Sequence, residues 1–524
     1  MKSHFRQNMA WLHTWGSLLI GWLLFFIFVT GTASYFLVDI NRWMKPELPI
    51  EVRFHQSSQG QQVEWMLDLL AERAPHANIW QIKLPHAQNH PDNVASRIHL
   101  LARSFPGGQT WHFDPLTGKE ILPAEVRATE GGVAFRRLHH QFHYMDVWAG
   151  IYLAGLCAFL ALGSVVTGVI VHKKIFKDFF TFRPGKGQRS WLDFHNVSSV
   201  MALPFFVMIL YTGLVYYSQH YLPVPESVVK RYETAQPIRT AEIPIEQRPQ
   251  IPMEDVISKA ESVFGRGAVG QIMVRRLEDQ GLVVDALRPH GAELTRVLSD
   301  STAVRFDAMN GERLAVIGGQ DVGVAWYLTL VSLHEAWYAN YPLRWLHFLS
   351  GLLGCVMIAT GLVLWVVKRR EKHARRGDAS WGVSLVASIN IAVLAGLPVA
   401  VAAFFWANRL LPVNMAERAA WELDVMFITW GWLFFYAALR PEKRAWVEIL
   451  WMAATAYALI PLVNALTTDR HLGVTIPAGD WPLAGFDFTM LGFGVLFAAI
   501  AWKLGRRWFW QAQRLKPRLK EIGA

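Results

Sequence analysis

The chain has 524 residues, of which 52% are hydrophobic and 18% charged, with 24 Trp, 31 Phe and a formal net charge of +10. That much apolar and aromatic side chain excludes a disordered, collagen-like or disulfide-scaffold protein. The two cysteines, Cys157 and Cys355, sit in apolar runs, and no Cys-x-x-Cys-His is present for covalent haem.

A basic excess on an apolar chain points to nucleic acid or to a membrane face, and the apolar runs decide between them. Residues 1–38 hold a first span, uncharged from Trp15 to Val38, too long for a signal-peptide core and read as a retained anchor. Residues 39–138 are polar. A second span at 139–172, uncharged from Val147 to Val171, leads into a basic loop at 173–194 with Lys173, Lys174, Lys177, Arg183, Lys186 and Arg189. The third span is 195–217 and a second polar segment is 218–333. The fourth span, 334–367, is followed by another basic loop at 368–380. Residues 381–524 form an extension of four further spans, Trp381 to Asn408, Val425 to Leu439, Ile449 to Thr468 and Phe488 to Trp502. The second and fourth of these need flanks containing Glu422, Asp424 and Asp487 to cross.

The expected class is therefore a mainly α integral membrane protein with about eight transmembrane helices and two small α+β domains between them. Lys and Arg in the short loops put those loops and both termini in the cytoplasm. The basic excess is thus topological, no nucleic-acid partner is expected, and 39–138 and 218–333 fall on the periplasmic side of a bacterial inner membrane.

The chain is internally duplicated. His13 precedes Thr30-Gly31 by seventeen residues, and His195 precedes Thr212-Gly213 by the same seventeen. Each of these spans leads into a helical pattern (Glu64 to Leu70; Glu254 to Val263), then a strand opening at Gln81-Ile82 or Gln271-Ile272. A strand then runs into a turn, Phe113-Asp-Pro-Leu-Thr-Gly-Lys119 or Phe306-Asp-Ala-Met-Asn-Gly-Glu312. Asp, Thr or Asn, and Gly at these offsets suit a hairpin whose glycine takes positive φ. Leu138-His139 or Leu333-His334 follows, then an inward span with Thr167-Gly168 or Thr360-Gly361. Parallel repeats in a membrane imply a pseudo-twofold along its normal.

The duplication sorts histidines into two layers. His13 and His195 lie near the cytoplasmic boundary; His139, His140, His143, His334 and His347 lie near the outer one. Two opposed neutral imidazoles from different helices suit six-coordinate haem iron in electron transfer, so two b haems are expected, their irons held by His13 with His195 and by His143 with His334. His143 stands 24 residues before its Thr, His334 stands 26 before and His139 stands 28 before, so His139 is nearly as good a partner. His172 is placed to ligate or hydrogen-bond the inner haem, and His347 has Ala154 as its counterpart in the other repeat, which disfavours it. Trp191, Trp345 and Arg344 are candidate cofactor contacts, and the Thr-Gly pairs either pack helices or let a porphyrin face approach.

The Phe-Asp-x-x-x-Gly turns resemble those of PepSY domains, and the spans around them, with the stretch from His172 to Asn196, resemble the PepSY-associated transmembrane helix family over about residues 1–375. Ala149-Gly150-Ile151 departs from a Gly-Arg frequent there, which puts a shared anion contact in doubt. The family includes inner-membrane di-haem reductases of ferric siderophores, and the ferripyoverdine type is the nearest in kind. The resemblance implies an oxidoreductase that passes electrons through b-type haem to periplasmic Fe(III) chelate, releasing Fe(II). Its partners would be a ferric siderophore, periplasmic siderophore-binding proteins, and a cytoplasmic or quinol donor. With no nucleotide fingerprint, hydrolase motif or zincin pair, the donor is expected to be separate. The rival readings are a membrane scaffold whose PepSY domains bind peptide or protein, and a quinol-linked cytochrome b with another acceptor.

Overall fold

The computed structural model describes residues 3–48, 59–84, 98–103, 108–113, 119–122, 126–172, 175–181, 183, 185–221, 243–288, 303–317, 322–336 and 338–522. In chain order its main helices are α1 (Ser3–Ser34), α2 (Leu37–Met44), α3 (Gln59–Arg73), α4 (Val133–Gln141), α5 (Val147–Val171), α6 (Gln188–Met201), α7 (Leu203–Tyr216), α8 (Met253–Phe264), α9 (Val322–Glu335) and α10 (Tyr341–Arg376). The last are α11 (Trp381–Leu394), α12 (Gly396–Leu410), α13 (Arg418–Leu439), α14 (Glu442–Thr467) and α15 (Trp481–Ile522). The strands are β1 (Ile79–Lys83), β2 (Ile98–Arg103), β3 (Gly108–Phe113), β4 (Gln271–Leu277), β5 (Gly281–Leu287), β6 (Ala303–Asp307) and β7 (Arg313–Ile317). They fall into two compact units. One is Met1–Pro46, Arg127–Tyr211 and Trp345–Ala524; the other is Glu47–Val126 and Thr212–Arg344.

The first unit is helical because its apolar runs satisfy their own backbone groups only as helices where no water is present. Among the described residues, seven helices are long and apolar enough to cross a membrane: His4–Ser34, Val147–Val171, Tyr341–Arg376, Trp381–Leu410, Arg418–Leu439, Glu442–Thr467 and Trp481–Trp508. Counting α6 and α7 as one bent span gives the expected eight. Those two meet at a 65° bend where Pro204, lacking an N–H, opens the ladder in the first turn of α7. Local signals set other ends. Asp146 caps α5 by accepting from the Trp148 and Ala149 N–H groups, both at 3.0 Å.

Helix α2 and residues from Arg127 onward, assigned by the sequence to the first polar segment, pack instead in this unit. Trp43 and Met44 join the core formed around Phe135, Phe404 and Phe405. Two of the acidic flanks of the extension, Glu422 and Asp487, turn inward rather than outward. Glu422, at 0% exposure, accepts from Arg418 Nη1 at 2.7 Å, Asn408 Nδ2 at 2.7 Å and Thr129 Oγ1 at 2.6 Å. Arg42 donates to Asp480 at 2.7 Å, and Trp43 Nε1 donates to Asp487 at 2.9 Å. Arg409 stacks 3.6 Å over the Trp43 ring and its Nε donates to Asn464 at 2.9 Å. The extension thus braces α2 and the segment entering α4.

In the second unit the two polar segments do not make two separate domains. They share one antiparallel sheet ordered β3-β2-β1-β4-β5-β6-β7. The joint is β1 on β4, with Ile82 opposite Ile272 and Gln81 opposite Met273. The residues that open equivalent strands in the repeat therefore face each other across a local twofold. Pairing satisfies the backbone edge that each half would otherwise leave bare. Helices α3 and α8 cover one face, closing Val63, Met66, Leu67, Val256 and Ala260 over Ile82, Ile272 and Phe306.

The second turn takes the form expected. Asp307 Oδ1 accepts from the N–H groups of Met309 (2.7 Å) and Asn310 (3.1 Å), and Gly311 has φ +73. Of the first turn, residues 114–118 lie outside the described residues, and Phe113 bridges to Glu120 across it. Because Ile272 is fully buried at the joint, Ile272→Ala is expected to cost about 2–5 kcal/mol, read as faster amide hydrogen exchange in both β1 and β4. Exchange rising in β4 alone would show that the halves are not one cooperative sheet.

Candidate cofactor site

The loop before α6 is folded back by Arg183, whose Nε and Nη2 donate to Asp193 at 2.9 and 2.7 Å, and by Ser190, which donates to the Arg183 carbonyl at 2.6 Å. This anchors the first turns of α6 and sets His195 on their face toward α10. There His195 Nδ1 lies 2.9 Å from the Met357 carbonyl and 3.3 Å from Thr360 Oγ1. A Cβ at Gly361 would sit 3.2 Å from its Cε1.

The same seat recurs. His13 on α1 has Nδ1 2.9 Å from the Ser164 carbonyl and 3.4 Å from Thr167 Oγ1, and a Cβ at Gly168 would be 3.2 Å from its Cε1. His139 on α4 has Nδ1 2.8 Å from the Ile27 carbonyl, with a Cβ at Gly31 2.6 Å from its ring. In the second unit, His334 on α9 has Nδ1 3.1 Å from Thr212 Oγ1, and a Cβ at Gly213 would be 2.9 Å from Cε1. Tyr216 holds α9 beside α7, its hydroxyl donating to Glu335 at 2.8 Å and its carbonyl accepting from Tyr327 at 2.9 Å. Each of the four Thr-Gly pairs therefore receives one imidazole. The glycine admits the ring rather than the porphyrin face the sequence suggested for it.

The chemistry of the seat follows from its acceptors. A carbonyl oxygen only accepts, so Nδ1 of His13, His139 and His195 carries the ring proton and Nε2 keeps a lone pair. This is how proteins orient a metal-ligating histidine. Burial lowers the pKa of His139 against the opposing bond to Ile27, which favours the same neutral form. His13 and His172 both lie within electrostatic reach of His195. Among the described residues no cluster of three or more His, Cys, Asp or Glu side chains offers a bare metal ion its ligands. A layer of two imidazoles instead matches an iron that arrives with four porphyrin nitrogens.

The other sequence candidates take different places. His143 lies beyond the end of α4, stacked on Phe427 at 5.3 Å with the rings 12° apart, and shares none of the seat geometry. Burial and Arg137 lower its pKa, against Asp424 and Glu130. His172 Nε2 is 2.7 Å from Asn196 Nδ2, beside the residue that follows His195. His347 sits edge-on between Tyr35 and Phe205, and Trp345 packs on Phe36 and Phe348. Arg344 stacks on Tyr341. Lys173 and Lys174 lie outside the described residues. The sequence passed over the carbonyls three residues before Thr30, Thr167 and Thr360. The regular spacing of the Thr-Gly pairs was the signal available for them.

Comparison with known proteins adds a relative and a family. The chain is 23% identical over 368 residues to an uncharacterized protein of Pseudomonas aeruginosa, a match covering 65% of this chain and 87% of that one. The PepSY-associated TM region matches residues 10–368, a stretch that contains all four histidine seats and both halves of the shared sheet and stops before the extension. By that match across more than half its length, the chain belongs to the PepSY-associated TM region family.

Proposed function

We propose that this membrane protein is a di-haem b electron carrier that reduces a periplasmic ferric siderophore with electrons drawn from the cytoplasmic side of a bacterial inner membrane. The observation that carries the reading is an imidazole seated on each of four Thr-Gly pairs of a duplicated chain, three of them with Nδ1 held by a backbone carbonyl. His13 and His195 hold the inner haem. His139, rather than His143, is the outer-layer ligand contributed by the first repeat, because it alone has a seat equivalent to that of His334 in the second. His172, bonded to Asn196, positions the inner layer.

Bound haem iron supplies reversible one-electron exchange. The side chains keep the imidazoles neutral and fixed, and the apolar helices exclude water from them. Fe(III) in a hydroxamate or catecholate chelate takes one electron to become Fe(II), which the chelate holds far less tightly, so no protein nucleophile or base is required. The donor, a quinol or a cytoplasmic reductant, is a separate molecule, and siderophore-binding proteins of the periplasm are the expected partners for delivery.

Purified protein tests this directly. Two b haems per chain are expected, with a Soret band and an α-band that sharpens on dithionite, and the reduced form should be reoxidised faster by ferric siderophore than by other mild oxidants. A colourless preparation overturns the haem assignment. A red one indifferent to ferric chelates overturns the substrate.

A further inference from the structure

One turn beyond the His195 seat, α10 carries a buried donor that has no acceptor among the described residues. The indole Nε1 of Trp365 is shielded from solvent and makes no hydrogen bond among the described residues. Four residues further on, the Arg369 guanidinium lies against two indoles, its Cζ 4.7 Å from the Trp365 ring and 5.0 Å from that of Trp15. The two rings meet edge to face at 5.8 Å. The neighbouring Arg370 pairs with Glu442 and Arg440 with Glu448, whereas Arg369 has no carboxylate partner among the described residues. An unsatisfied N–H and an uncompensated guanidinium side by side call for an anionic acceptor.

Its place identifies the anion. Gly361, Trp365 and Arg369 follow at four-residue intervals and so lie on one face of α10, and Gly361 is the residue on which His195 rests. Helix rise puts Trp365 about 6 Å from that glycine, toward the basic end of the span. The duplication repeats the spacing, with a ring that is already bonded to Asn196. His172 stands four residues after Gly168, as Trp365 stands four after Gly361, so each repeat sets a ring nitrogen one turn past the glycine that seats a histidine. A b haem carries two carboxylates on one edge.

We infer that Trp365 and Arg369 form the seat of a carboxylate of the inner haem, donating through the indole N–H and the guanidinium. The inference rests on the haem reading above. The same chemistry would also suit the phosphate of an anionic lipid headgroup.

The test uses intact protein carrying Trp365→Phe, Arg369→Gln or Arg369→Lys. With the carboxylate less well compensated, the first two variants should lower the midpoint potential of one haem and leave the other unchanged. They should also speed transfer of that haem to apomyoglobin by about tenfold, the scale of one charge-assisted hydrogen bond. Arg369→Lys should keep most of the wild-type potential. Unchanged potentials and transfer rates in a fully haem-loaded Trp365→Phe protein overturn the carboxylate seat while leaving the haem reading intact. If anionic phospholipid then copurifies with the wild type but not with the variants, the occupant is a lipid phosphate. Absence of haem from the wild type overturns both.

Discussion

Replacing His195 by alanine is expected to abolish the inner haem and leave the outer one, so that the purified protein carries about one half of the wild-type haem, measured as the pyridine haemochrome. His13→Ala should do the same. Electron delivery across the membrane should fall by at least about two orders of magnitude, because loss of the ligand removes the inner relay altogether. Gly361→Val makes a sharper test. The ligand stays, yet a Cβ there already crowds the His195 ring at 3.2 Å and two further methyl groups force it off the Met357 carbonyl. The inner haem should be lost as completely as in the alanine variant. Gly163→Ala is the control, since a Cβ at that position on α5 meets nothing within 4 Å. Full haem content in His195→Ala would remove the residue from the site.

The second large effect is on stability. Glu422→Leu leaves Arg418, whose side chain is fully buried, with no counter-charge and is expected to cost about 3–5 kcal/mol, seen as a lowered unfolding temperature in detergent. Joint replacement of Arg418 and Glu422 by leucine should recover most of that loss, because an apolar pair of similar volume needs no compensation. Thr129 and the Glu130 N–H also bond to Glu422, and they lead directly into α4. The single variant should therefore loosen the helix that carries His139 and release the outer haem before the inner one. An unchanged unfolding temperature would mean that the extension is not a brace.

How far the site was legible depended on whether the chain between two residues is continuous helix. The seventeen-residue spacing from His13 to Thr30 and from His195 to Thr212 marked a histidine and a Thr-Gly seat in both copies, but only the first runs through unbroken helix, since the second bends by 65° between α6 and α7. The choice between His139 and His143 could not be read in the same way. The helix ends at Gln141, Phe142 takes φ +57 and Tyr144 φ +60, and a count back from Thr167 across that break no longer measures position along an axis. Spans flanked by Glu422 and Asp487 looked short because charged residues read as membrane exits, whereas here they are buried with partners. The Trp365 and Arg369 pair was hidden for the opposite reason: a Trp and an Arg at a span end are the ordinary signature of an interface.

The join between β1 and β4 also governs the order of assembly. Ile82 and Ile272 face each other from positions 190 residues apart, and α5 and the bent α6 and α7 lie between them in the chain. As synthesis proceeds, β1 emerges long before its partner and waits with an unpaired edge. Among the described strand pairings this one joins the residues furthest apart in the chain, so sheet completion should be a late and slow step. A nascent chain halted before residue 271 would be the form most exposed to mispairing, and a chaperone acting on this protein would find its principal substrate there.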